Sequence, residues 1–159
     1  MGKAHTEKLW EYINKSSQYI IMERYPRVAV GGIILKDNKI LLTLRRDEPD
    51  RYKWAIPGGK LELNETLEDG LKREIKEELL LDVEVNDLAG ISEIITKEFH
   101  YIILDYICTP VNWDIKPGSD ALKAAYFDMQ ELGDSVNKST REFISKMINS
   151  VKPVHIIEK

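Results

Sequence analysis

The chain has a single cysteine, Cys108, and this excludes an internal disulfide bond. Cys108 lies in an apolar run, which favours a position in the core over a reactive thiol. No apolar run approaches the roughly 20 residues that a transmembrane helix requires. The N-terminus also lacks the pattern of a signal peptide. We therefore expect a cytoplasmic protein with no membrane partner.

A surplus of basic residues is missing as well. The 27 Asp and Glu residues outnumber the 23 Lys and Arg residues, which gives a formal net charge of −4. Since non-specific binding of nucleic acid requires a basic surface that neutralises phosphates, we expect no nucleic-acid partner. An acidic site can attract a phosphorylated ligand only when cations invert its local field. Phosphate chemistry in this chain would therefore require a metal ion.

The composition that remains suits one globular domain. The 159 residues are 43% hydrophobic, which is enough for a proper core. Apolar stretches that are partly adjacent and partly separated by helical patterns predict an α/β fold with helices covering a mixed sheet. We expect a helical extension over residues 1–24, with its helix at 6–22, and the main domain over residues 25–159. Packing of this helix on the domain is favoured over a dimer contact or a substrate lid.

A Glu-rich helix is predicted directly after a Pro-Gly-Gly turn. Thr66 and Asp69 have the spacing of a capping box, so the helix begins near Thr66. Gly70 lies inside it, and a close approach of another part of the chain is the expected reason. Apolar residues recur every four positions and form a stripe that faces the core, namely Leu67, Leu71, Ile75 and Leu79.

Three glutamates of this helix lie close to the apolar stripe. Glu74, Glu77 and Glu78 share an arc of roughly 100°, so their carboxylates repel one another and lose hydration. The guanidinium of Arg73 can offset this, and so can a hard divalent cation such as Mg²⁺, with Mn²⁺ as a substitute. Gly58 and Gly59 can adopt positive φ and turn a carbonyl toward the same point. The alternative is a solvated acidic helix balanced by Lys72, Arg73 and Lys76.

The spacing of these residues follows a known signature. Gly59 is followed by five residues, Glu65, seven further residues and then a run that reads REIKEE. This pattern resembles the signature of the Nudix hydrolases, and a looser resemblance covers most of the chain. It implies an α/β/α sandwich with a mixed β-sheet over residues 25–159. It also implies hydrolysis of a nucleoside diphosphate that is linked to another moiety.

The resemblance also implies roles for individual residues. Glu74 would be a metal ligand and possible base, Glu77 and Glu78 would be ligands together with the carbonyl of Gly58, and Arg73 would be an orienting partner paired with Glu65. Members of the family differ in their general base, and some use a carboxylate from a later loop. The candidates for that role are Glu93, Glu98 and Asp120.

One position departs from the signature, because Leu80 stands where the pattern has Gly. That glycine usually serves as the helix C-cap, so the way in which this helix ends stays open.

A β-hairpin is predicted from two apolar stretches, residues 27–35 and 39–44, around the turn signal at Asp37 and Asn38. It delivers Arg45 and Arg46 to the end of its second strand, where they can bind the phosphate or ribose of a substrate. Alternatively, they pair with nearby acids, namely Asp47, Glu48 and Asp50. With Gly59, Trp54 completes the candidate substrate-binding set, although bracing of the Pro-Gly-Gly turn is favoured for Trp54 over base stacking.

The second half of the chain alternates strands and loops. Strands are predicted over residues 83–85, 88–95, 99–108 and 124–127, a specificity loop over 109–121 and a closing helix over 138–150. Asp105 lies within the third of these strands and is a candidate to face the site.

The substrate is the least determined part of the prediction. Arg45, Arg46, the hairpin and the strand that reads FHYIILDY resemble those of ADP-ribose pyrophosphatase relatives. ADP-ribose or another nucleoside diphosphate sugar is therefore expected, and a nucleoside triphosphate, including an oxidised one, is the alternative. A non-catalytic nucleotide sensor is a third possibility, which the intact set of carboxylates disfavours. Because members of the family are often dimers, a homodimer is a possible assembly.

Overall fold

A computed structural model of the chain describes residues 25–118 and 121–159. The predicted extension at residues 1–24 and Asp120 lie outside the described residues, and the proposed domain boundary stays a prediction. The described elements are β1 (Arg27–Ile33), β2 (Leu35–Lys36), β3 (Lys39–Arg45), β4 (Trp54–Ala55), β5 (Gly58–Lys60), α1 (Leu67–Leu79), β6 (Val83–Ile95), β7 (His100–Pro110), β8 (Ala121–Asp128), α2 (Lys138–Met147) and β9 (Val154–Glu158). Within these two ranges, neither helix is long and apolar enough to cross a bilayer.

The strands form two sheets. The larger sheet has five strands in the order β5-β1-β7-β6-β9, and the smaller one is built around β3, which pairs with β2, β4 and β8. In the larger sheet β1 runs parallel to β7 and β6 runs parallel to β9, whereas β5 and β6 are antiparallel to β1 and β7 respectively. The predicted mixed sheet is therefore confirmed, with a second, antiparallel sheet beside it.

The two helices cover opposite faces of the larger sheet. Alternate residues of β1 show this, because a Cβ atom on Gly32 would lie 2.8 Å from Ile75 of α1, whereas one on Gly31 would overlap Asp105 on the other face. Ile75 belongs to a core that α1 forms with β1 and β7, and Phe143 of α2 belongs to a second core with β9. This arrangement confirms the predicted α/β/α sandwich.

The predicted hairpin is wrong in its first strand. Of the strands within residues 27–36, only β2 pairs with β3, through Leu35 opposite Ile40. β1 instead joins the larger sheet between β5 and β7. The physical reason is its burial on both faces, since the residues from Ala29 to Ile33 are all buried, which suits an inner strand covered by helices. The chain changes sheets at Ile34, whose carbonyl oxygen still accepts a hydrogen bond from the N–H of Leu41 at 2.9 Å.

The Glu-rich helix begins where the sequence predicts. Thr66 is the N-cap, and its Oγ1 accepts a hydrogen bond from the N–H of Asp69 at 3.1 Å. The apolar stripe is buried at Leu71, Ile75 and Leu79. A close approach at Gly70 is also confirmed. A Cβ atom there would lie 2.6 Å from the Leu61 side chain and 3.0 Å from the Glu65 carboxylate, which are side chains rather than backbone.

The helix ends at a leucine in a conformation that favours glycine. Leu80 has φ 52° and ψ 30°, in the left-handed region, and its N–H donates to the carbonyl of Lys76 at 3.0 Å. Leucine thus stands where a glycine cap is expected, but the backbone keeps the left-handed geometry of such a cap. Leu80 is 52% exposed, so its side chain contributes little apolar burial to offset the strain.

Replacing Leu80 with Gly should therefore stabilise the protein. We expect the free energy of unfolding to rise by about 0.5–1 kcal/mol, because the strain of a left-handed L-residue exceeds the added entropy of an unfolded glycine. Urea denaturation of Leu80→Gly measures this difference. Leu63→Gly is the control, because Leu63 is 92% exposed and is absent from the residues of positive φ. An equal loss of stability in both variants would contradict the interpretation.

Candidate active site

Arg73 lies at the centre of the candidate site and contacts three of its glutamates. Its guanidinium binds Glu65 with two hydrogen bonds, Nε to Oε1 at 2.6 Å and the second terminal nitrogen to Oε2 at 3.0 Å. The other terminal nitrogen contacts Glu74 at 2.9 Å and Glu77 at 3.3 Å. A further bond of 3.1 Å reaches the carbonyl of Lys60 in β5. The planar fork of one arginine therefore joins the turn before the helix to two glutamates of the helix.

Charge partners set the ionisation of this group. The hydrogen bond from Arg73, together with the backbone N–H of Glu62 at 2.9 Å, lowers the pKa of Glu65 to about 2. The hydrogen bond with Glu65 in turn raises the pKa of Arg73. Both groups are therefore charged across the neutral range, and the carboxylate of Glu65 fixes the orientation of the guanidinium.

Glu78 has the opposite environment. The residue is partly exposed, yet its carboxyl group is surrounded by protein, and loss of hydration raises its pKa to about 8, with the charge of Glu74 as a smaller cause. The N–H of Gly58 donates to Oε2 at 3.0 Å and the hydroxyl of Thr43 donates at 3.4 Å. These two hydrogen bonds and the positive charge of Arg45 lower the pKa of Glu78, but they do not outweigh the loss of hydration. A positive ligand beside Glu78 would stabilise its charged form.

The Pro-Gly-Gly turn brings the backbone against these carboxylates. Gly58 has φ 149°, a conformation open to glycine, and pairs with Gly31 of β1. Gly59 lies directly beside Glu74, so that a Cβ atom on Gly59 would overlap the carboxylate. Any side chain at position 59 would displace Glu74, which explains why glycine is needed at the start of the signature.

The carboxylates do not form a ready metal site in this structure. Among residues 25–118 and 121–159, no three His, Cys, Asp or Glu side chains are grouped closely enough to hold an ion. Arg73 contacts Glu74 and Glu77, while Glu78 is turned toward the N–H of Gly58. The residues nevertheless fit a hard divalent cation, because three carboxylates supply oxygen donors and the carboxyl group of Glu78, whose pKa is raised mainly by loss of hydration and less by the charge of Glu74, would be stabilised in its charged form by a cation. The assignment of Gly58, Glu74, Glu77 and Glu78 as metal ligands stays a prediction.

The candidate substrate residues are only partly brought together. Arg45 ends β3, and its charge acts on Glu78 while its Nε donates to the carbonyl of Pro49 at 2.9 Å. Arg46 is exposed, and its carbonyl accepts a bond from Arg51 at 3.0 Å. Within the described ranges, neither Arg45 nor Arg46 forms an ion pair with the neighbouring acids. Pairing with Asp47, Glu48 or Asp50, the alternative from the sequence, is therefore not seen.

Trp54 is directed into the protein. It pairs with Leu44 of β3, one residue beyond Thr43, and therefore lies on the other face of this sheet from Glu78. Its ring packs against Phe127 with the centroids 4.9 Å apart, and the backbone N–H of Trp54 donates to the carbonyl of Ser135 at 2.9 Å. These contacts support bracing of the turn and give no support to base stacking.

The later carboxylates are spread over the molecule. Glu93 on β6 lies 3.1 Å from a ring nitrogen of His155 on β9, and Glu98 is exposed in the turn between β6 and β7. Asp120 lies outside the described residues. No contact in the described part of the chain joins Glu93 or Glu98 to the glutamates of α1, so the choice of general base stays open.

Asp105 does not face the site. It lies on the α2 side of the sheet, where Ser92 donates to its carboxyl group at 3.4 Å and where the missing side chain of Gly31 leaves it room. The suggestion from the sequence that Asp105 is a candidate to face the site is therefore wrong. Complete burial raises its pKa from 3.8 to about 7.

This burial predicts a pH dependence of stability. Between pH 4 and 7 the native state keeps a proton on Asp105 that the unfolded chain releases, so the free energy of unfolding falls as the pH rises through this window. Asp105→Asn should flatten this part of the profile, with a relative gain at pH 8 of at most about 4 kcal/mol. Urea denaturation of both proteins from pH 4 to 8 measures it. Parallel profiles would show that Asp105 ionises alike in both states.

Sequence reasoning missed several residues of the site. Thr43 contacts Glu78, and the only local signal is that it is the single polar residue inside the apolar part of β3. The carbonyl of Lys60 on Arg73 and the backbone of residues 116–118 near α1 carry no signal, because any residue supplies the same backbone groups.

Comparison with known proteins agrees with the geometry. A profile of the NUDIX domain matches residues 25–149. An ADP-ribose pyrophosphatase of Methanocaldococcus jannaschii is 41% identical over 133 residues, which cover 82% of this chain and 78% of the relative. A MutT-like protein of Streptomyces ambofaciens is 32% identical over 107 residues, 67% of each chain.

A solved structure agrees as well. The crystal structure of a MutT Nudix hydrolase from Burkholderia pseudomallei superposes with a TM-score of 0.71 at 26% identity, covering 77% of this chain and 98% of that one. Since the profile spans most of the chain and the relatives share both sequence and fold, the chain belongs to the Nudix family and is a pyrophosphohydrolase.

Proposed function

We propose that the chain hydrolyses the diphosphate bond of ADP-ribose or of another nucleoside diphosphate sugar, with Mg²⁺ or Mn²⁺ as its cofactor. The observation that carries the substrate class is the similarity to the ADP-ribose pyrophosphatase of Methanocaldococcus jannaschii, which extends over most of both chains. The chemistry of the site supports the metal cofactor and a phosphorylated substrate in general, because a cluster of carboxylates can bind an anionic diphosphate only through cations.

In this proposal the carboxylates of Glu74, Glu77 and Glu78 and the carbonyl of Gly58 hold the metal. When bound, the metal neutralises the charge that develops on the diphosphate and lowers the pKa of water. Arg73 now occupies the space between Glu74 and Glu77, so metal binding requires the contact of Arg73 with at least one of them to loosen. Its two bonds to Glu65 keep the guanidinium in place during this change.

The protons of the site follow from the same environments. Glu78 binds a proton over part of the neutral range and must release it to act as a ligand. Glu74 is the proposed acceptor of the proton of the attacking water, because its carboxylate is oriented by Arg73 and lies against the backbone of Gly59. Arg45 lies close enough for its charge to act on Glu78, which supports the proposal that Arg45 binds a phosphate of the substrate.

A hydrolysis screen tests the proposed function. The purified chain would be incubated with ADP-ribose, other sugar nucleotides, dinucleoside polyphosphates and nucleoside triphosphates, with Mg²⁺, with Mn²⁺ or with a chelator. We expect metal-dependent release of AMP and ribose 5-phosphate from ADP-ribose. Preferred release of pyrophosphate from a nucleoside triphosphate would assign the alternative substrate class. Metal-dependent binding of nucleotide without any product would identify a sensor and overturn the proposal.

A further inference from the structure

The C-terminal end of α1 is capped by a segment far away in the sequence. The last carbonyl groups of a helix lack partners within the helix and need donors from elsewhere. Here the N–H of Lys116 donates to the carbonyl of Leu79 at 3.1 Å, and the N–H of Gly118 donates to the carbonyl of Glu78 at 2.7 Å. The segment of residues 115–118 therefore binds the backbone of the turn that carries the site glutamates.

The segment approaches this turn so closely that residue 118 must lack a side chain. A Cβ atom on Gly118 would overlap the carbonyl oxygen of Glu77 and would lie 3.3 Å from the carbonyl carbon of Glu78. Both neighbours are helix backbone, which cannot move without moving the carboxylates attached to it. The requirement for glycine is one of space, since Gly118 is not among the residues with positive φ.

The segment is itself anchored on both sides. Ile115 packs against the core under α1, and the Nζ of Lys36 lies 5.6 Å from the centre of the Trp113 ring. Beyond residue 118 the chain enters β8, which pairs with β3 and places Ala124 opposite Thr43. The capping segment thus bonds the helix that carries Glu78 and precedes the strand that pairs with Thr43, whose hydroxyl donates to the Glu78 carboxylate.

From these contacts, and resting on the proposed metal-dependent hydrolysis, we propose that residues 115–118 position Glu77 and Glu78 for metal binding, with Gly118 as the positioning residue. Leu80 explains why the segment is needed. The left-handed leucine supplies one of the bonds of a C-cap, to Lys76, and the segment supplies the donors for Glu78 and Leu79. Because ligand geometry tolerates errors of only about 0.5 Å, a displaced helix end weakens the metal site.

Direct binding of Mn²⁺ without substrate tests the proposal. We expect Gly118→Ala to raise the dissociation constant for Mn²⁺, measured by isothermal titration calorimetry, by roughly tenfold, the scale of losing a group that orients a metal ligand. Gly133→Ala is the neutral control, because a Cβ atom there meets nothing within 4 Å. Gly90→Ala is the control for lost stability, because its Cβ atom would overlap the backbone carbonyl oxygen of Val154 in β9 and lie 2.8 Å from Phe143 of α2, away from the glutamates.

A second pair of variants avoids the steric change at Gly118. Lys116→Pro removes the N–H that binds Leu79, whereas Lys116→Ala keeps this N–H and removes only the exposed side chain that pairs with Asp114. We expect weaker Mn²⁺ binding in Lys116→Pro and an unchanged dissociation constant in Lys116→Ala.

The outcomes separate this inference from the proposed function. Both are supported if the wild-type protein binds Mn²⁺ and hydrolyses a nucleotide, and if Gly118→Ala and Lys116→Pro bind Mn²⁺ more weakly than Gly90→Ala does. The comparison requires that these variants have melting temperatures similar to that of Gly90→Ala. Wild-type activity with unchanged Mn²⁺ affinity in Gly118→Ala and Lys116→Pro overturns the positioning role alone. Wild-type protein that binds no Mn²⁺ and yields no product overturns the proposed function, and the positioning role with it.

Discussion

Glu78→Gln should abolish metal-dependent hydrolysis and leave the fold intact. Glutamine keeps an oxygen that accepts bonds from Gly58 and Thr43, but it has no charge for a cation. We expect kcat/KM to fall by at least about 100-fold, beyond the loss seen when only a partner of a metal ligand is removed. Because the variant no longer buries an ionisable group whose pKa is raised to about 8, its melting temperature should equal or exceed that of the wild type.

The matched control is Glu68→Gln on the same helix. Glu68 is exposed and pairs only with Lys72 among the described ion pairs, at 2.6 Å, so its loss should change kcat/KM by less than about twofold, in line with the small worth of surface pairs. Activity retained in Glu78→Gln would remove Glu78 from the metal set. A fall in melting temperature with lost activity would show that Glu78 supports the fold instead.

Arg73→Lys should also be strongly impaired, although it conserves the charge. A lysine ammonium is a single point charge and cannot hold both oxygens of Glu65 while reaching Glu74 and Glu77. We expect at least a tenfold loss of kcat/KM and a higher half-saturating concentration of Mn²⁺, since the glutamates lose the group that orients them. Kinetics at varied Mn²⁺ concentrations separate the two effects.

Arg141→Lys provides the control for this exchange. Arg141 on α2 forms an equally short bond of 2.6 Å to Asp134 but belongs to the opposite side of the molecule. Arg141→Lys should leave kcat/KM and the half-saturating concentration of Mn²⁺ unchanged. If Arg73→Lys behaves like Arg141→Lys, charge alone would suffice at position 73, and the two-bond contact with Glu65 would have no role in the reaction.

Features that depend on neighbouring residues were predictable from the sequence. Thr66 and the stripe at Leu71, Ile75 and Leu79 define α1, because capping and helical periodicity act over a few residues. The pairing of Arg73 with Glu65 was implied by the resemblance to the Nudix family, and it joins a turn and a helix that are adjacent in the chain.

Features that depend on distant partners were not predictable. Residues 28–35 are apolar throughout, and such a run shows that a strand is buried without showing which strand lies beside it. The hairpin prediction failed for this reason. Asp105 was misplaced because alternation in a strand fixes two faces but not which of them the site occupies. Thr43 and Gly118 reach Glu78 only through the packing of two sheets around α1.

The parallel pairing of β1 with β7 has a consequence for the order of folding. Arg27 pairs with Tyr101, so the strand that supports Gly58 and Gly59 gains its inner neighbour only after most of the chain has been made. Contacts of such high sequence separation form slowly because the intervening loop must close first. We therefore expect α1 to form early as a local element and the geometry of its glutamates to be reached late, when β7 docks. Chains that end before β7 should contain the whole signature and bind no metal.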